Sequence, residues 1–116
     1  MPMSADHAAL IAAENVFVLE VEDFTCGVLV LLAESDQVMI ENVALLPSAQ
    51  GKGYGRLLMD FAEQFARERG YAELRLYTNV KMVENIEIYK HLGYVETGRA
   101  GQDGYARVFM SKLLEP

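Results

Sequence analysis

The chain has no tryptophan, one cysteine and three prolines in 116 residues. A lone Cys26 excludes an internal disulfide framework, the usual support of a small secreted domain. It sits among strand-like residues and reads as a small core side chain rather than a nucleophile. No apolar run approaches the roughly 20 residues that a bilayer span needs, so no membrane partner is expected. The start, Met1-Pro2-Met3-Ser4-Ala5-Asp6-His7, lacks a basic region ahead of an apolar one and does not read as a secretory signal. A cytoplasmic location is the expectation. Positive charge is scarce too: ten Lys and Arg stand against seventeen Asp and Glu, a formal net charge of −7. Nucleic acid is therefore not an expected partner, since phosphates call for a basic surface. An acidic surface favours amines instead. No cluster of His, Cys and Asp has metal-ligand spacing, so no metal is expected. His91 reads as a helix-end cation, and the scattered methionines read as core filler.

What is present suits one modest core. The hydrophobic fraction is 52%, and the length predicts a single domain over residues 1–116. Ser4–Glu14 is alanine-rich, with Ala8, Leu10, Ile11 and Ala12 at helical spacing, and predicts a short helix capped by Ser4 or Asp6. Val16–Val21 predicts a strand, Glu22-Asp23 a turn, and Thr25–Ala33 a strand buried on both faces. Val38–Leu46 is the next strand, stopped by Pro47. Leu57, Leu58, Phe61, Ala62, Phe65 and Ala66 share one face of a helix that ends at Gly70. Glu73–Thr78 predicts a strand, and Met82–Leu92 a second helix closed by Gly93. Tyr94–Arg99 and Tyr105–Leu113 predict a hairpin.

The run Gln50-Gly51-Lys52-Gly53-Tyr54-Gly55 joins the Val38–Leu46 strand to the longer helix. A helix start leaves backbone N–H groups unpartnered at the positive end of the dipole. Glycines let a bulky anion reach them. The segment reads as a phosphate cradle, with a plain strand-to-helix turn as the competing reading. A Walker loop would need Ser or Thr after Gly51-Lys52, where Gly53 stands. The dinucleotide fingerprint begun at Gly51 would need glycine where Arg56 stands. What remains, Gln-x-x-Gly-x-Gly, resembles the pyrophosphate-binding motif of the GNAT superfamily of N-acetyltransferases, which bind acetyl-CoA.

A second segment carries the same resemblance. Asn85-Ile86-Glu87-Ile88-Tyr89-Lys90-His91-Leu92-Gly93-Tyr94 is similar to the family stretch that ends in Tyr-x-x-x-Gly-aromatic. Each motif falls on the element the family uses, and the order of elements matches the family core over roughly residues 16–113. The implied fold class is α/β, a mixed sheet with helices, here lacking the first strand and first helix. Only Ser4–Glu14 is left for the N-terminal region, as a remnant of the second family helix. The Val16–Val21 strand would then be a bare edge, which predicts a homodimer that covers it. A second departure is Met82, which stands where many members carry an asparagine. Asn79 and Asn85 are the nearby polar candidates for contact with the coenzyme.

The resemblance implies roles for particular residues. The pyrophosphate would rest on N–H groups of Gly51, Lys52, Gly53, Tyr54, Gly55 and Arg56, beside Gln50. Lys52 and Arg56 would add charge, or would be solvated cations at a turn. The pantetheine arm would pair with the free edge of the preceding strand through Val43 and Leu45, and an N–H near Leu45 would stabilise the oxyanion. Tyr89 would protonate the leaving thiolate. A thiol near pKa about 8.5 and a phenol near 10 leave the phenol protonated at neutral pH. Its alternative is a core tyrosine beside Ile86 and Leu92. Glu41 is the candidate base; pairing with a neighbouring strand, or a water chain in its place, are the alternatives. One family base falls on Met39 instead.

The implied function is acetyl transfer to a primary amine of a small molecule or a protein. Two other classes compete: a non-catalytic acetyl-CoA-binding module, and an assembly subunit with an incomplete acceptor site.

Overall fold

A computed structural model of the protein describes residues 8–13, 15–102 and 105–114, with side chains from 15–101 and 106–114. Among the described residues, seven strands and two α-helices follow in the order β1 (Ala8–Ala13), β2 (Val16–Val21), β3 (Phe24–Glu34), β4 (Gln37–Leu45), α1 (Tyr54–Glu68), β5 (Glu73–Asn79), α2 (Val83–His91), β6 (Val95–Gln102) and β7 (Tyr105–Leu113). The strands form one mixed sheet in the order β1-β2-β3-β4-β5-β7-β6. Only β4 and β5 run parallel; every other neighbouring pair is antiparallel.

The alanine-rich start is a correction to the sequence. Helical spacing predicts a helix over Ser4–Glu14, but Ala8–Ala13 is a strand, paired with β2 from Ala8↔Val21 to Ala13↔Val16. So short a helix is marginal in water whatever its alanine content. A hairpin with β2 satisfies the backbone groups of both segments at once. The Val16–Val21 strand is thus no bare edge, and β1 fills the place where a first strand was expected to be missing. Ser4 and Asp6, the expected caps, lie outside the described residues. Among the described residues no α-helix precedes Tyr54.

The remaining elements follow their sequence signals. Glu22 and Asp23 both take positive φ (51° and 71°), the twist a two-residue hairpin needs. Helix α1 lays Leu58, Met59, Ala62 and Ala66 on the sheet. There they meet Leu19, Leu29, Leu31, Val38, Ile40, Leu74, Leu76, Val108 and Met110. Phe17 of β2 holds the outer flank of α1, edge-on to Phe61 (centroids 4.8 Å) and Phe65 (5.6 Å). Both crossovers, β4-α1-β5 and β5-α2-β6, advance in one direction along the sheet. A common hand therefore puts both helices on one face. Lys112 joins them there: its Nζ lies 2.7 Å from Glu63 of α1 and donates to the Leu92 carbonyl at 2.9 Å. The opposite face carries Val16, Val18, Val28, Val30, Met39, Tyr77 and Phe109, half-buried, and no described helix lies over it.

Candidate active site

The site begins with an irregularity in β4. Val30 pairs with Asn42 and Leu31 with Ile40, so Glu41 has no partner and forms a bulge. Val38 and Ile40 face the core before it, and Val43 and Leu45 pack against the core after it. The extra residue keeps the apolar side chains in phase and bends the strand. The β4–β5 ladder ends at Ile40↔Leu76, although β4 continues to Leu45 and β5 to Asn79. Beyond Leu76, β5 pairs only with β7, through Tyr77↔Phe109, Thr78↔Val108 and Asn79↔Arg107. A gap opens between two neighbouring strands.

The backbone lining that gap is defined by alternation. The Leu46 N–H donates to Cys26 of β3 at 2.8 Å. Strand groups point to alternate sides, so those of Leu45 and Val43 point into the gap. The Gln50 side chain reaches the Leu45 carbonyl at 3.4 Å, closing the turn rather than standing free. Gly27 on β3 makes room for this end of β4, because a Cβ there would lie 2.7 Å from Leu45 Cδ2.

The cradle sits directly above. A short 3-10 turn, Pro47–Ala49, lifts the chain over the end of β4. Gly51 and Gly53 then adopt φ of +80° and +85°, a conformation that favours glycine. The first helical bond is from Leu57 N–H to Gly53 O, at 3.1 Å. Among the described residues the N–H groups of Gly51, Lys52, Gly53, Gly55 and Arg56 have no backbone acceptor. No acidic residue occupies the first turn of α1 and no side chain caps it. The positive end of the dipole is therefore uncompensated by the protein. Tyr54 is 3% exposed and its ring belongs to the core, not to the cradle. Arg56 is an exposed cation bonded to Asp60 one turn on, at 3.2 Å.

Tyr89 comes from α2, one turn after the half-buried Asn85. Burial pushes its phenol above the ordinary tyrosine value. No hydrogen bond to its hydroxyl is found among the described residues, and no side-chain oxygen or nitrogen is sealed without a partner. Asn79 is used locally: its Oδ1 accepts the Lys81 N–H at 2.8 Å and shapes the turn into α2. Glu41 is exposed at the foot of the gap, one residue past the last β4–β5 pair. Met39 points to the helix-free face, where a thioether offers no base.

The structure thus gathers the cradle, the Val43 and Leu45 edge and Glu41 at one end of β4. Two features escape a reading of isolated motifs. The bulge has a visible signal, because Glu41-Asn42 breaks the alternation of Val38 and Ile40 with Val43 and Leu45. The pairing of Tyr77, Phe109 and Arg107 beside the gap has none, since it depends on sheet register. A groove of about 340 Å3 runs along α1 from Arg56 to Arg67, with Leu92, Tyr94 and Lys112 as its far wall. Its charges are bonded among themselves, Arg56 to Asp60 and both Lys112 and Arg67 to Glu63.

Comparison with known proteins agrees with this geometry. The profile of the acetyltransferase (GNAT) domain matches residues 12–96. Streptothricin acetyltransferase of Streptomyces lavendulae is 36% identical over 66 residues, 57% of this chain and 35% of that protein. The crystal structure of Ard1 from Thermoplasma volcanium superposes with a TM-score of 0.81 at 24% identity, covering 89% of this chain and 72% of that one. A GNAT family acetyltransferase from Elizabethkingia anophelis, solved with acetyl-CoA bound, gives 0.76 at 16% identity over 85% of this chain and 75% of that one. The matches span between 19% and 60% of the length of such curated relatives.

Proposed function

The chain belongs to the GNAT family of acetyltransferases, and from that premise we propose that it transfers the acetyl group of acetyl-CoA to a primary amine. One observation carries the reading. The β4–β5 ladder stops at Ile40↔Leu76 directly beneath a helix start that has free N–H groups and no acid in its first turn. A thioester with a diphosphate tail fits both halves of that arrangement. The pyrophosphate rests on the N–H groups between Gly51 and Arg56, and Lys52 adds an exposed charge. The pantetheine amides bond the gap-facing groups of Val43 and Leu45.

The chemistry is direct attack. The neutral amine adds to the thioester carbonyl, and an N–H near Leu45 bonds the oxyanion that forms. That addition forms the C–N bond; collapse re-forms the carbonyl and breaks the C–S bond. Tyr89 gives its proton to the leaving thiolate, and Glu41, directly or through water, takes the proton that the amine loses. The raised Tyr89 pKa supports the acid role, because it keeps the phenol protonated. Asn85, one turn before Tyr89, lies at the coenzyme side.

The chain works as one domain over residues 1–116, in the cytoplasm, without metal or nucleic acid. The net charge of −7 supports the last of these. No helix among the described residues is long and apolar enough to cross a membrane. We further propose a two-fold homodimer that buries the β1–β2 end of the helix-free face, where Val16, Val18, Val28 and Val30 form an apolar patch. Sedimentation at micromolar concentration tests it, and a single monomeric species refutes it.

Titration calorimetry with acetyl-CoA, followed by thiol release with a panel of amines, tests the activity. Binding with thiol release is the expected result. Binding without release for any amine would instead favour a coenzyme-binding module. No binding would leave an assembly subunit.

A further inference from the structure

We propose that the acceptor carries a carboxylate close to its amine, as an amino acid does, and that Arg107 holds that carboxylate. The inference rests on the β4–β5 gap being the site of transfer. It starts from where Arg107 lies. Its Cα partner is Asn79, in the part of β5 that β4 has left. Its neighbour Val108 is fully buried on the helix side, so Arg107 and Phe109 lie on the other face. That is the face an acceptor must use, because α1, α2 and the cradle fill the first.

The guanidinium is held in place. It lies 4.5 Å from the centroid of the Tyr77 ring. Tyr77 in turn is tilted against Phe109 at 6.1 Å. Stacking fixes the plane of the fork and leaves its N–H edge to bond a planar carboxylate with two parallel hydrogen bonds. Among the described residues nothing bonds that edge. Arg56, Arg67, Arg75 and Arg99 each have a carboxylate within ion-pair distance, whereas among the described residues Arg69 and Arg107 have none. Arg69 spends its N–H edge on the Phe65 carbonyl of its own helix, and Arg107 has no such partner among the described residues.

Charge of the opposite sign stands across the gap. Glu41 is exposed on the β4 side, at the bulge. The Arg107 side chain reaches over Tyr77 of β5 toward the gap, so it faces β4 and Glu41 from the opposite lip. A zwitterion matches them: its ammonium toward Glu41, where it loses its proton, and its carboxylate toward Arg107. An amine without a nearby anion satisfies only one lip.

The test pairs each amino acid with its own carboxamide, which keeps the amine and removes the charge. With the wild-type chain, kcat/KM should favour the amino acid at least tenfold for the best member of the panel. In Arg107→Ala the ratio should fall to near one, with the change in KM rather than kcat. Arg107→Lys, which keeps the charge and loses the fork, should give an intermediate ratio. Acetyl-CoA affinity measured on the same samples reports that the fold and the cradle are intact. A wild-type ratio of one or below, or an equal loss on both acceptors in Arg107→Ala, overturns the proposal and leaves the acetyltransferase reading standing. Absence of acetyl-CoA binding in the wild type overturns both.

Discussion

Tyr89 and Tyr94 meet edge-on, with ring centroids 6.1 Å apart and planes at 62°, across the glycine that stops α2. The Gly93 N–H donates to Lys90 O and the Tyr94 N–H to Tyr89 O, both at 3.0 Å, and Gly93 has φ of +101°. These are the two bonds of a Schellman stop, and the ring contact is the hydrophobic pair that accompanies it. Tyr-x-x-x-Gly-Tyr is therefore a helix terminator as well as a family signature. Gly70 closes α1 by the same two bonds, to Arg67 and Ala66. The packing of the Tyr89 ring is therefore separable from the proton donation proposed for its hydroxyl.

Tyr89→Phe should separate them. The ring and the helix stop survive, so thermal stability and acetyl-CoA affinity should stay near wild type. Turnover should fall on the order of 10²-fold, the usual worth of a positioned acid. An amine whose acetylation is limited by chemistry is the substrate to use. Wild-type turnover in this variant would reduce Tyr89 to a packing residue.

The pH profile gives an independent check. Burial raises the Tyr89 phenol above its ordinary value of 10.0. A group with a raised pKa holds its proton to higher pH, so the acid form persists throughout the neutral range. Turnover at saturating amine should show no descending limb between pH 7 and about 9.5. A limb centred near pH 8 that vanishes in Tyr89→Phe would contradict the buried position of the phenol.

How much of this was legible in the sequence varies with the physics of each element. The cradle and the two helix stops depend on glycines at positive φ, and Gly51, Gly53, Gly70 and Gly93 all stand out in the chain. Helix α1 was legible because its apolar face is complete within its own residues. Strand β1 was not, because alanine favours a helix locally, and only pairing with β2 makes the extended form better. The phase slip at Glu41-Asn42 was visible, yet its consequence, a gap beside β5, needs the register of a strand thirty residues later. Tyr54 stands in the cradle by position, where its expected part is its backbone N–H, and the helical turn carries its ring into the core.

Glu63 and Lys112 tie α1 to β7 and offer a test of the fold alone. Burial would raise the Glu63 carboxyl, but hydrogen bonds from Lys112 and Arg67 outweigh it and hold it below 4.5. A lowered carboxylate pKa stabilises the fold at pH above the unfolded value. That contribution is lost as pH falls through the lower folded value. Glu63→Gln should cost about 1–2 kcal/mol at pH 7, because a half-buried Lys112 loses its ionic partner. The gap between variant and wild type should close as pH drops below about 4. Denaturant melts at pH 7 and pH 3.5 measure both. A difference that is equal at the two pH values would show that the ion pair is not its source.

Gly55 separates the cradle from the fold in the same way. A Cβ at Gly55 would meet only Leu45 Cδ1, at an ordinary 3.6 Å, and its φ is not positive. Gly55→Asp therefore fits sterically, and a carboxylate in the first turn favours the helix dipole by about 0.3–1 kcal/mol. The same carboxylate would occupy the proposed phosphate position and repel the anion. The variant should melt at or above the wild-type temperature while its acetyl-CoA affinity falls at least tenfold. Gly53→Asp should lose affinity too, but at some cost in stability, because Gly53 holds φ of +85°. Unchanged affinity in both would remove the cradle assignment.

Glu41 carries the most discriminating comparison, because the role proposed for its side chain can be separated from its place in the chain as the bulge residue. Glu41→Gln removes only the carboxylate. It should bind acetyl-CoA as wild type does and lose turnover on the order of tenfold or more, as expected for a general base. Deleting Glu41 removes the bulge and leaves the apolar pattern intact. Val38, Ile40, Val43 and Leu45 would then alternate without interruption, all toward the core they already face. The deletion should therefore fold, with a straighter β4 that continues its ladder to β5 beyond Ile40. Val43 and Leu45 would spend their gap-facing groups on β5, and the pantetheine arm would find no free edge. Acetyl-CoA binding should be lost in the deletion and kept in Glu41→Gln. Calorimetry with both variants, beside circular dichroism to confirm folding, decides it. A folded deletion variant that still binds acetyl-CoA with wild-type affinity would show that the bulge does not open the site.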